Sequence, residues 1–353
     1  MTRNTLITSL EASTGKTAVA LALSRIAAER GDDVGYMKPK GTRLESNVGK
    51  TLDRDPMLAR ELLDIDAEMA DLEPIVYSPT FVEGVVRGRE DAGALRERVR
   101  EAFETLAVDR DRMILEGGDS YTTGRIIDLA DGDVAALTDA EVVLLADYER
   151  AGDLDAVLGA ADALGDRVRG VLFNRVPDAA VDGLEADAIP FLEGEGLPVL
   201  GALPRDRTMA GVSVADLADA LGAEQLTDGD DEALVERFVV GAMSPDAALR
   251  HFRRARDAAV VTGGDRSEIQ SAALEAPGVR CLVLTGGHRP SGAVLGAAAE
   301  KGVPVLLVQG DTMTAVERAE SVLGGGRTQS ADTVERMTAL LRDNAAVEEL
   351  LAE

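Results

Sequence analysis

A run of small and polar residues near the N-terminus carries the residue types that bind phosphate. The run Glu11-Ala12-Ser13-Thr14-Gly15-Lys16-Thr17 follows the apolar pair Leu6-Ile7 and opens an alanine-rich helical pattern that continues to Glu29. In a turn between a strand and a helix, successive backbone N–H groups converge on an anion and the helix dipole favours it. A lysine can reach the terminal phosphates, and a hydroxyl can bind Mg²⁺. We therefore predict a phosphate-binding loop, the alternative being an ordinary turn with a surface lysine; its binding residues are Ser13, Thr14, Gly15, Lys16 and Thr17.

The loop departs from the usual phosphate-binding pattern at its first position. Leu10 stands where GxxxxGK[ST] has glycine, and Ser9 stands there in the variant that is one residue longer. The departure weakens the prediction of nucleotide turnover more than the prediction of nucleotide binding.

Two lysines follow the second apolar run of the chain. Val34–Met37 is followed by Lys38-Pro39-Lys40-Gly41, in which proline and glycine favour the end of a strand. We predict that Lys38 is a second cationic group that contacts a phosphate or a carboxylate substrate, with Lys40 as a further candidate. The alternative is a polar turn.

Three acidic residues are candidate ligands of Mg²⁺, which prefers hard oxygen donors. Glu116 follows the apolar run Met113–Leu115 and precedes two glycines, which would let a metal–phosphate group approach closely. Asp55 precedes Pro56, so it is either the N-cap of a helix or a ligand of the metal. Asp53 is a weaker candidate of the same kind.

An amide side chain ends a later strand. Asn174 follows the apolar run Val168–Phe173, and its side chain would be able to hydrogen-bond the edge of a purine base. The alternative is that Asn174 turns the chain.

The second half of the chain contains a short repeat. Each copy has an apolar run, Thr-Gly-Gly, a polar residue and an arginine, and a helical pattern follows. Two such turns on adjacent parallel strands would place two helix N-termini at one sheet edge, which suggests an anion-binding rim. The alternative is two compact turns that need glycine. The candidate residues of this second site are Gly263, Gly264, Asp265, Arg266, Gly286, Gly287 and Arg289.

Alternating strand and helix patterns must position these residues. Six apolar runs alternate with helical patterns up to residue 222, which is typical of a parallel sheet with helices on both faces. In such sheets ligands bind at the carboxyl ends of the strands, where all the candidates of the first half lie. We predict a first domain at 1–222, a linker at 223–232, a smaller α/β domain at 233–325 and a helical tail at 326–353.

The composition excludes several classes of function. The formal net charge is −27, with 64 acidic against 37 basic residues, and the acidic residues are spread along the chain. This pattern favours a protein of a high-salt organism and disfavours nucleic acid as a partner. One cysteine, Cys281, excludes an internal disulfide, and no apolar run is long enough to span a membrane. The N-terminus runs directly into a strand without a signal peptide, so we expect a cytoplasmic protein.

Residues 1–222 resemble the dethiobiotin-synthetase-like branch of the P-loop NTPases. This branch includes cobyrinic acid a,c-diamide synthases and the N-terminal domain of some phosphotransacetylases. Residues 233–325 resemble a DRTGG domain, with Gly241-Ala242-Met243 and Gly264-Asp265-Arg266 as the recognisable points. The pairing is similar to the N-terminal part of long phosphotransacetylases, without their acetyl-transfer domain. The matching segments of the first domain are Ala12–Thr17, Gly35–Pro39, Leu115–Gly118, Val171–Val176 and Leu200–Pro204.

The resemblance implies a role for each site residue. Lys16 would contact the β and γ phosphates of ATP, and Thr17, Asp55 and Glu116 would hold Mg²⁺. Lys38 would hold the phosphate acceptor, and Asn174 would contact the adenine. The resemblance also implies a homodimer. A fused DRTGG domain and the run Gly117-Gly118-Asp119 depart from dethiobiotin synthetase, so biotin synthesis is not expected.

Three functions remain open at this point. The first is a regulatory protein that binds ATP and Mg²⁺ in one domain and a small effector in the other, and acts on a metabolic enzyme partner in acyl-CoA or acetate metabolism. The second is an ATP-dependent ligase that joins a carboxylate to an amine, with Lys16 and Lys38 as catalytic residues. The third is a scaffold that binds no nucleotide.

Overall fold

The chain forms two compact units in a computed structural model that describes residues 2–42, 44–47, 50–206, 209, 211–325 and 331–351. Unit 1 comprises Met1–Arg205 together with Thr328–Glu353, and unit 2 comprises Asp206–Arg327. The second unit is therefore an insertion within the first.

Unit 1 is built on a sheet of six parallel strands. The spatial order is β10-β9-β8-β1-β7-β2, so β1 is central and pairs with β7 and β8. The strands of this unit are β1 (Arg3–Ser9), β2 (Val34–Met37), β3 (Lys40–Gly41), β4 (Leu44–Asn47), β5 (Lys50–Asp53), β6 (Ile75–Val76), β7 (Arg112–Glu116), β8 (Glu141–Asp147), β9 (Val168–Val176) and β10 (Val199–Pro204).

The helices of unit 1 mostly lie between successive strands of the sheet. Single 3₁₀ turns occur at Arg125–Ile127, Ala151–Asp153, Gly165–Arg167 and Asp178–Ala180, and a π-helical turn at Leu184–Ala188 precedes α9. The α-helices before unit 2 are α1 (Lys16–Glu29), α2 (Arg54–Leu62), α3 (Met69–Leu72), α4 (Pro79–Val86), α5 (Ala92–Leu106), α6 (Asp131–Leu137), α7 (Leu154–Leu164), α8 (Val181–Gly183) and α9 (Ile189–Gly194).

Burial on both faces explains why the central strands read as continuous apolar runs. In β7 every residue is buried, and in β1 the last five are. The register aligns Ile7 of β1 with Glu116 of β7, and Ser9 with Leu145 of β8. The carboxyl ends of these strands therefore meet at one edge, where the loop before α1 begins.

Unit 2 has a smaller sheet of five strands in the order β12-β17-β16-β15-β14. Four strands are parallel, and β12 pairs with β17 in the antiparallel sense. The elements are β11 (Val212–Ser213), β12 (Glu224–Gln225), β13 (Leu234–Val235), β14 (Arg237–Val240), β15 (Ala258–Gly263), β16 (Val279–Thr285), β17 (Val305–Leu307), α10 (Val214–Leu221), α11 (Pro245–Phe252), α12 (Ser267–Leu274), α13 (Gly292–Lys301) and α14 (Thr312–Gly325).

Alternate residues of the unit 2 strands face two separate cores. Val260 and Leu282 pack in a core with α11, α12 and α13. Val261 and Cys281 pack on the other face with α10 and α14. Since side chains of a strand alternate between faces, this sheet is covered by helices on both sides.

The chain returns to unit 1 in two C-terminal helices, α15 (Ala331–Asn344) and α16 (Val347–Leu350). Helix α15 packs against α1 and β10. A backbone bridge joins Ala345 to Gly201, and the backbone N–H of Ala346 donates to the carbonyl of Leu200 at 2.8 Å. The predicted tail is thus an integral part of the first unit.

The predicted fold class is confirmed, and each predicted strand is present. The contacts divide the chain differently from the predicted boundaries. Helix α10 lies within 1–222 but packs in the core of unit 2, and the segment predicted as a linker contains the edge strand β12. Residues 326–330 of the predicted tail lie outside the described residues.

Candidate nucleotide-binding site

The predicted loop leads from the end of β1 to the start of α1. Ser13 and Gly15 have left-handed backbone conformations, with φ of +58° and +96°. A Cβ atom on Gly15 would lie 2.6 Å from Nδ2 of Asn174, so both the backbone angle and the space require glycine there. The first turn of α1 begins at Lys16, which places its backbone N–H groups at the loop.

Two residues near the carboxyl end of β9 hydrogen-bond to the backbone of the loop. Asn174 is buried and donates from Nδ2 to the carbonyl of Thr14 at 2.7 Å. Arg175 donates to the carbonyl of Ser13 at 2.9 Å and forms an ion pair with Asp147. The structure therefore uses Asn174 to hold the loop, and its predicted contact with adenine stays a prediction.

Lys16 is folded back onto the loop. Its Nζ atom donates to Oγ of Ser9 at 2.6 Å, and to the carbonyls of Asp119 at 3.0 Å and Glu11 at 3.3 Å. Burial lowers the pKa of Lys16, and the carboxylates of Glu116, Asp131 and Asp119 act against that shift. The ammonium group is thus held close to the place where a phosphate would bind.

Thr17 and Glu116, the two candidate metal ligands, are in direct contact. The hydroxyl of Thr17 donates to Oε1 of Glu116 at 2.8 Å, and the hydroxyl of Tyr36 donates to Oε2 at 2.6 Å. Burial raises the pKa of Glu116, whereas the Lys38 ammonium lowers it. Burial and the Glu116 charge both raise the pKa of Tyr36.

Lys38 is buried among three carboxylates. Its Nζ atom lies 2.9 Å from Oδ2 of Asp53 and 3.4 Å from Oε1 of Glu116, and it also forms an ion pair with Asp55. Burial alone would lower the pKa of Lys38, but the carboxylates of Glu116, Asp55 and Asp53 raise it well above its ordinary value. With all four groups ionised, three negative charges and one positive charge leave a net charge of −2.

Of the two alternatives for Asp55, the structure contradicts the N-cap. The N-cap of α2 is Asp53, whose Oδ1 accepts a hydrogen bond from the backbone N–H of Asp55 at 2.9 Å. Helix α2 begins at Arg54, so Pro56 is its third residue. Asp55 therefore lies inside the first turn and directs its carboxylate to Lys38.

Glu73 lies beside this cluster, and the sequence did not indicate it. It is buried, and its Oε2 accepts a hydrogen bond from the backbone N–H of Asp53 at 2.9 Å. Burial, together with the charge of Asp53, raises the pKa of Glu73 to about 7. No motif marks Glu73; its signal is only a single acidic residue in the apolar surroundings of Leu72 and Ile75.

Lys40 contacts other protein groups and is not among the residues that line the cleft. Its Nζ atom lies 2.8 Å from Oδ1 of Asp131 and also donates to the carbonyl of Leu129. Asp131 accepts further hydrogen bonds from Thr8 at 2.6 Å and from the backbone N–H of Gly118 at 3.2 Å. The pair thus fixes the loop that follows Glu116.

Lys16, Thr17, Lys38 and Glu116 line one cleft. No three His, Cys, Asp or Glu side chains in the part of the chain that the structure describes are arranged to hold a metal ion alone. Mg²⁺ needs only one or two carboxylates when phosphates and water supply its other ligands. The oxygens of Thr17 and Glu116 and the net negative charge fit that requirement. The cleft is lined by Ser13, Gly15, Lys16, Thr17, Lys38, Thr42, Glu116, Gly117, Gly118 and Asp119.

The second predicted site is only partly assembled. The two glycine turns are adjacent, since the backbone N–H of Gly264 donates to the carbonyl of Thr285 at 3.1 Å. The two arginines are directed elsewhere: Arg266 donates to the carbonyls of Gly241 and Met243, and Arg289 forms an ion pair with Glu224. The turn glycines Gly286 and Gly287 have φ of +82° and +67°, which glycine tolerates without strain. Gly263 is the last residue of β15, and Asp265 lies in the turn between β15 and α12.

Among the described residues, no helix has the length and apolar character needed to cross a membrane.

Both halves of the chain are similar to known protein families. A family model described as a DRTGG domain matches residues 216–322. Cobyric acid synthase of Syntrophobacter fumaroxidans is 26% identical over 323 residues, which cover 80% of this chain and 62% of that protein. The chain therefore spans less than two thirds of the length of this relative.

Two solved structures are similar at lower identity. Cobyrinic acid a,c-diamide synthase from Mycobacterium smegmatis, with a bound ATP analog and magnesium, is 16% identical with a TM-score of 0.36, over 58% of this chain and 85% of that chain. The CBS and DRTGG domains of the regulatory region of Clostridium perfringens pyrophosphatase, complexed with diadenosine tetraphosphate, are 22% identical with a TM-score of 0.29, over 37% of this chain and 66% of that chain.

A family model described as an AAA domain matches residues 3–213, which include the phosphate-binding loop, the Lys38 cluster and Asn174. This match covers more than half of the chain, and the chain accordingly belongs to that AAA domain family, with a DRTGG domain following.

Proposed function

We propose that this protein binds ATP with Mg²⁺ in unit 1 and is a regulatory protein whose DRTGG domain binds a small effector. The observation that carries the proposal is the meeting of Lys16, Thr17 and Glu116 at one strand edge, with Thr17 Oγ1 only 2.8 Å from the Glu116 carboxylate. Membership of the AAA domain family supports nucleotide binding in unit 1. The DRTGG match supports a regulatory second domain.

Each residue has a role in this proposal. The backbone N–H groups of Ser13, Thr14 and Gly15 surround the phosphates, and Lys16 neutralises their charge. Thr17, Glu116 and Asp55 would hold Mg²⁺, which would supply positive charge to offset that of the phosphates. The net charge of −2 in the Lys38 cluster favours a divalent cation over a bare phosphate at that position.

Isothermal titration at molar salt with ATP and Mg²⁺ tests the proposal. We expect Lys16→Ala to bind ATP about tenfold more weakly or worse, because a charge-assisted contact to phosphate is lost. Lys301→Ala is the matched control, since Lys301 lies in unit 2 and donates to the carbonyl of Leu274. The proposal fails if the wild-type protein binds no ATP, or if Lys16→Ala binds it equally well.

A second candidate function is an ATP-dependent ligase that joins a carboxylate to an amine. The similarity to cobyric acid synthase over most of the chain favours it. In this case Lys16 and Lys38 are the catalytic residues: Lys38 contacts the carboxylate acceptor, and Lys16 stabilises the transferred phosphoryl group.

Phosphate release in the presence of a cobyrinate-type carboxylate and an amine separates the two candidates. Release that depends on the carboxylate, and that Lys38→Arg reduces, supports the ligase. Binding of ATP without any carboxylate-dependent release supports the regulatory protein.

Other features of the proposal come from the resemblance and the composition. They are a homodimer, a metabolic enzyme partner, a link to phosphotransacetylases and acyl-CoA metabolism, and a place in the cytoplasm of a halophile. All of these stay predictions. Titration of unlabelled adenine nucleotides and acyl-CoA compounds into Arg266→Ala and Arg289→Ala proteins tests the effector site.

A further inference from the structure

The side chain of Ser9 occupies an unusual place beside Lys16. Ser9 is the last residue of β1 and is fully buried. Its hydroxyl accepts a hydrogen bond from Nζ of Lys16 at 2.6 Å and donates one to the carbonyl of Glu11 at 2.6 Å. A glycine at this position, as in the longer form of the loop pattern, would make neither bond.

The remaining bonds of Lys16 are made to the backbone. An ammonium group has three donors, and those of Lys16 go to Ser9 Oγ, the Asp119 carbonyl and the Glu11 carbonyl. A terminal phosphate can therefore bond to Nζ only by replacing one of these acceptors. Of the three acceptors, Ser9 Oγ is the one that belongs to a side chain. The hydrogen bond from Ser9 to the Glu11 carbonyl also holds that carbonyl, a second acceptor, near Nζ.

We propose that the Ser9 latch, meaning the hydroxyl of Ser9 with its bonds to Lys16 and Glu11, competes with the phosphates of the nucleotide for the Lys16 ammonium. This inference rests on the proposed binding of ATP in unit 1. The latch weakens nucleotide binding by the free energy needed to release Lys16. Ser9 is thus a residue that sets affinity by positioning Lys16.

Burial strengthens the effect of the latch. Lys16 is itself buried, so its ammonium group has little access to water when an acceptor is removed. A charged group in such surroundings depends on its protein hydrogen bonds. Loss of the Ser9 hydroxyl therefore raises the free energy of the folded-back position of Lys16 relative to a phosphate-bound position.

Titration of ATP with Mg²⁺ into Ser9→Ala and Ser9→Gly proteins tests the inference. We expect both variants to bind ATP about three- to tenfold more tightly than the wild type, which corresponds to one net hydrogen bond. Ser24→Ala is the matched control: Ser24 is also fully buried, but its hydroxyl donates to the Ala20 carbonyl within α1. Binding that is unchanged or weaker in both Ser9 variants overturns the inference, and weaker binding would make the hydroxyl a phosphate ligand.

Chemical labelling gives a second readout that needs no nucleotide. Trace acylation with acetic anhydride, followed by peptide mass spectrometry, reports the reactivity of Lys16 relative to the exposed Lys301 in the same molecule. Ser9→Ala should raise the Lys16 rate, and Ser24→Ala should leave it unchanged. If ATP binds to no variant but Lys16 labelling rises in Ser9→Ala, the restraint of Lys16 by Ser9 stands, and the proposed function fails together with the competition. If ATP binds to the wild type and neither affinity nor labelling responds to Ser9→Ala, the latch fails alone.

Discussion

Lys38 and the carboxylates around it determine how the site responds to a change in charge. A buried ion pair costs desolvation free energy and is stable only when each charge keeps its partners. Lys38 has Asp53, Asp55 and Glu116 within ion-pair distance. A change in the protonation of a group beside this cluster should therefore change the free energy of unfolding of the protein.

Glu73 gives the clearest pH-dependent prediction. Its pKa is raised from 4.5 to about 7, so between these values the folded protein holds a proton that the unfolded chain has lost. The contribution of Glu73 to the free energy of unfolding therefore falls as pH rises through this window. Glu73→Gln removes this loss. Between about pH 5 and about pH 8, the free energy of unfolding of the variant should therefore rise by about 1–2 kcal/mol relative to that of the wild type, after allowance for solvent screening.

Urea unfolding followed by circular dichroism at both pH values measures that difference. Glu61→Gln, an exposed glutamate on α2, is the control and should track the wild type. A Glu73→Gln protein whose stability runs parallel to wild type across the window would contradict the prediction.

The sequence indicated the site residues that lie next to strand ends. Lys16, Thr17, Lys38 and Glu116 lie at or after the ends of β1, β2 and β7, which the order of the sheet brings together, and Asp55 follows β5 of the separate β4–β5 pair. The other members depend on contacts between distant segments: Glu73 reaches Asp53 from a loop 20 residues away, and Asp131 reaches Thr8 from 123 residues away. No local pattern marks such contacts, so only the tertiary structure reveals them.

At the scale of elements, the contact between α1 and α15 supports the phosphate-binding loop. Helix α1 is buried almost all around, including Ala18–Leu23, because the sheet covers one side and α15 packs on it as well. Helix α15 contributes buried apolar residues at successive turns, namely Val334, Met337, Leu340 and Leu341.

Truncation of one of these side chains should destabilise α1. Met337 is 2% exposed, and Met337→Ala should cost about 2–4 kcal/mol of unfolding free energy, since it leaves a cavity. Met313→Ala is the matched control, because Met313 is 69% exposed and its removal should cost less than about 0.5 kcal/mol.

Hydrogen–deuterium exchange read in peptides from α1 measures the effect locally. Faster exchange of α1 in Met337→Ala, and unchanged exchange in Met313→Ala, is the expected result. Equal protection of α1 in both variants would show that α15 does not stabilise the helix.

The elements themselves were largely predictable, and their grouping was not. Long apolar runs such as Val142–Ala146 identify buried strands without any knowledge of the fold. The hairpin of β4 and β5 has a polar sequence and was not predicted. The change of unit after Arg205 was also missed, because α10 has the same amphipathic pattern whichever core it packs against.

At the scale of the whole molecule, the charge of −27 opposes folding through repulsion among carboxylates. Raising KCl from about 0.1 M to about 1 M shortens the screening length from about 10 Å to about 3 Å. We expect the midpoint of thermal unfolding at neutral pH to rise by about 5 °C or more over this range.

Circular dichroism melts in a KCl series provide the measurement. The same series near pH 4.5, which is the isoelectric point calculated from the sequence, is the control, because the net charge there is close to zero. A salt effect of equal size at both pH values would rule out charge repulsion as its cause.

The insertion of unit 2 within unit 1 also affects the time course of synthesis. The six-stranded sheet and α1 leave the ribosome before Asp206, but α15 follows only after the whole of unit 2 has been made. At about 5–20 residues per second, the apolar surface of α1 that α15 covers is left without it for on the order of ten seconds. During this interval the nascent chain exposes an apolar surface beside a sheet whose strands have all been made. Nascent chains that stall inside unit 2 should therefore bind preferentially to ribosome-associated chaperones.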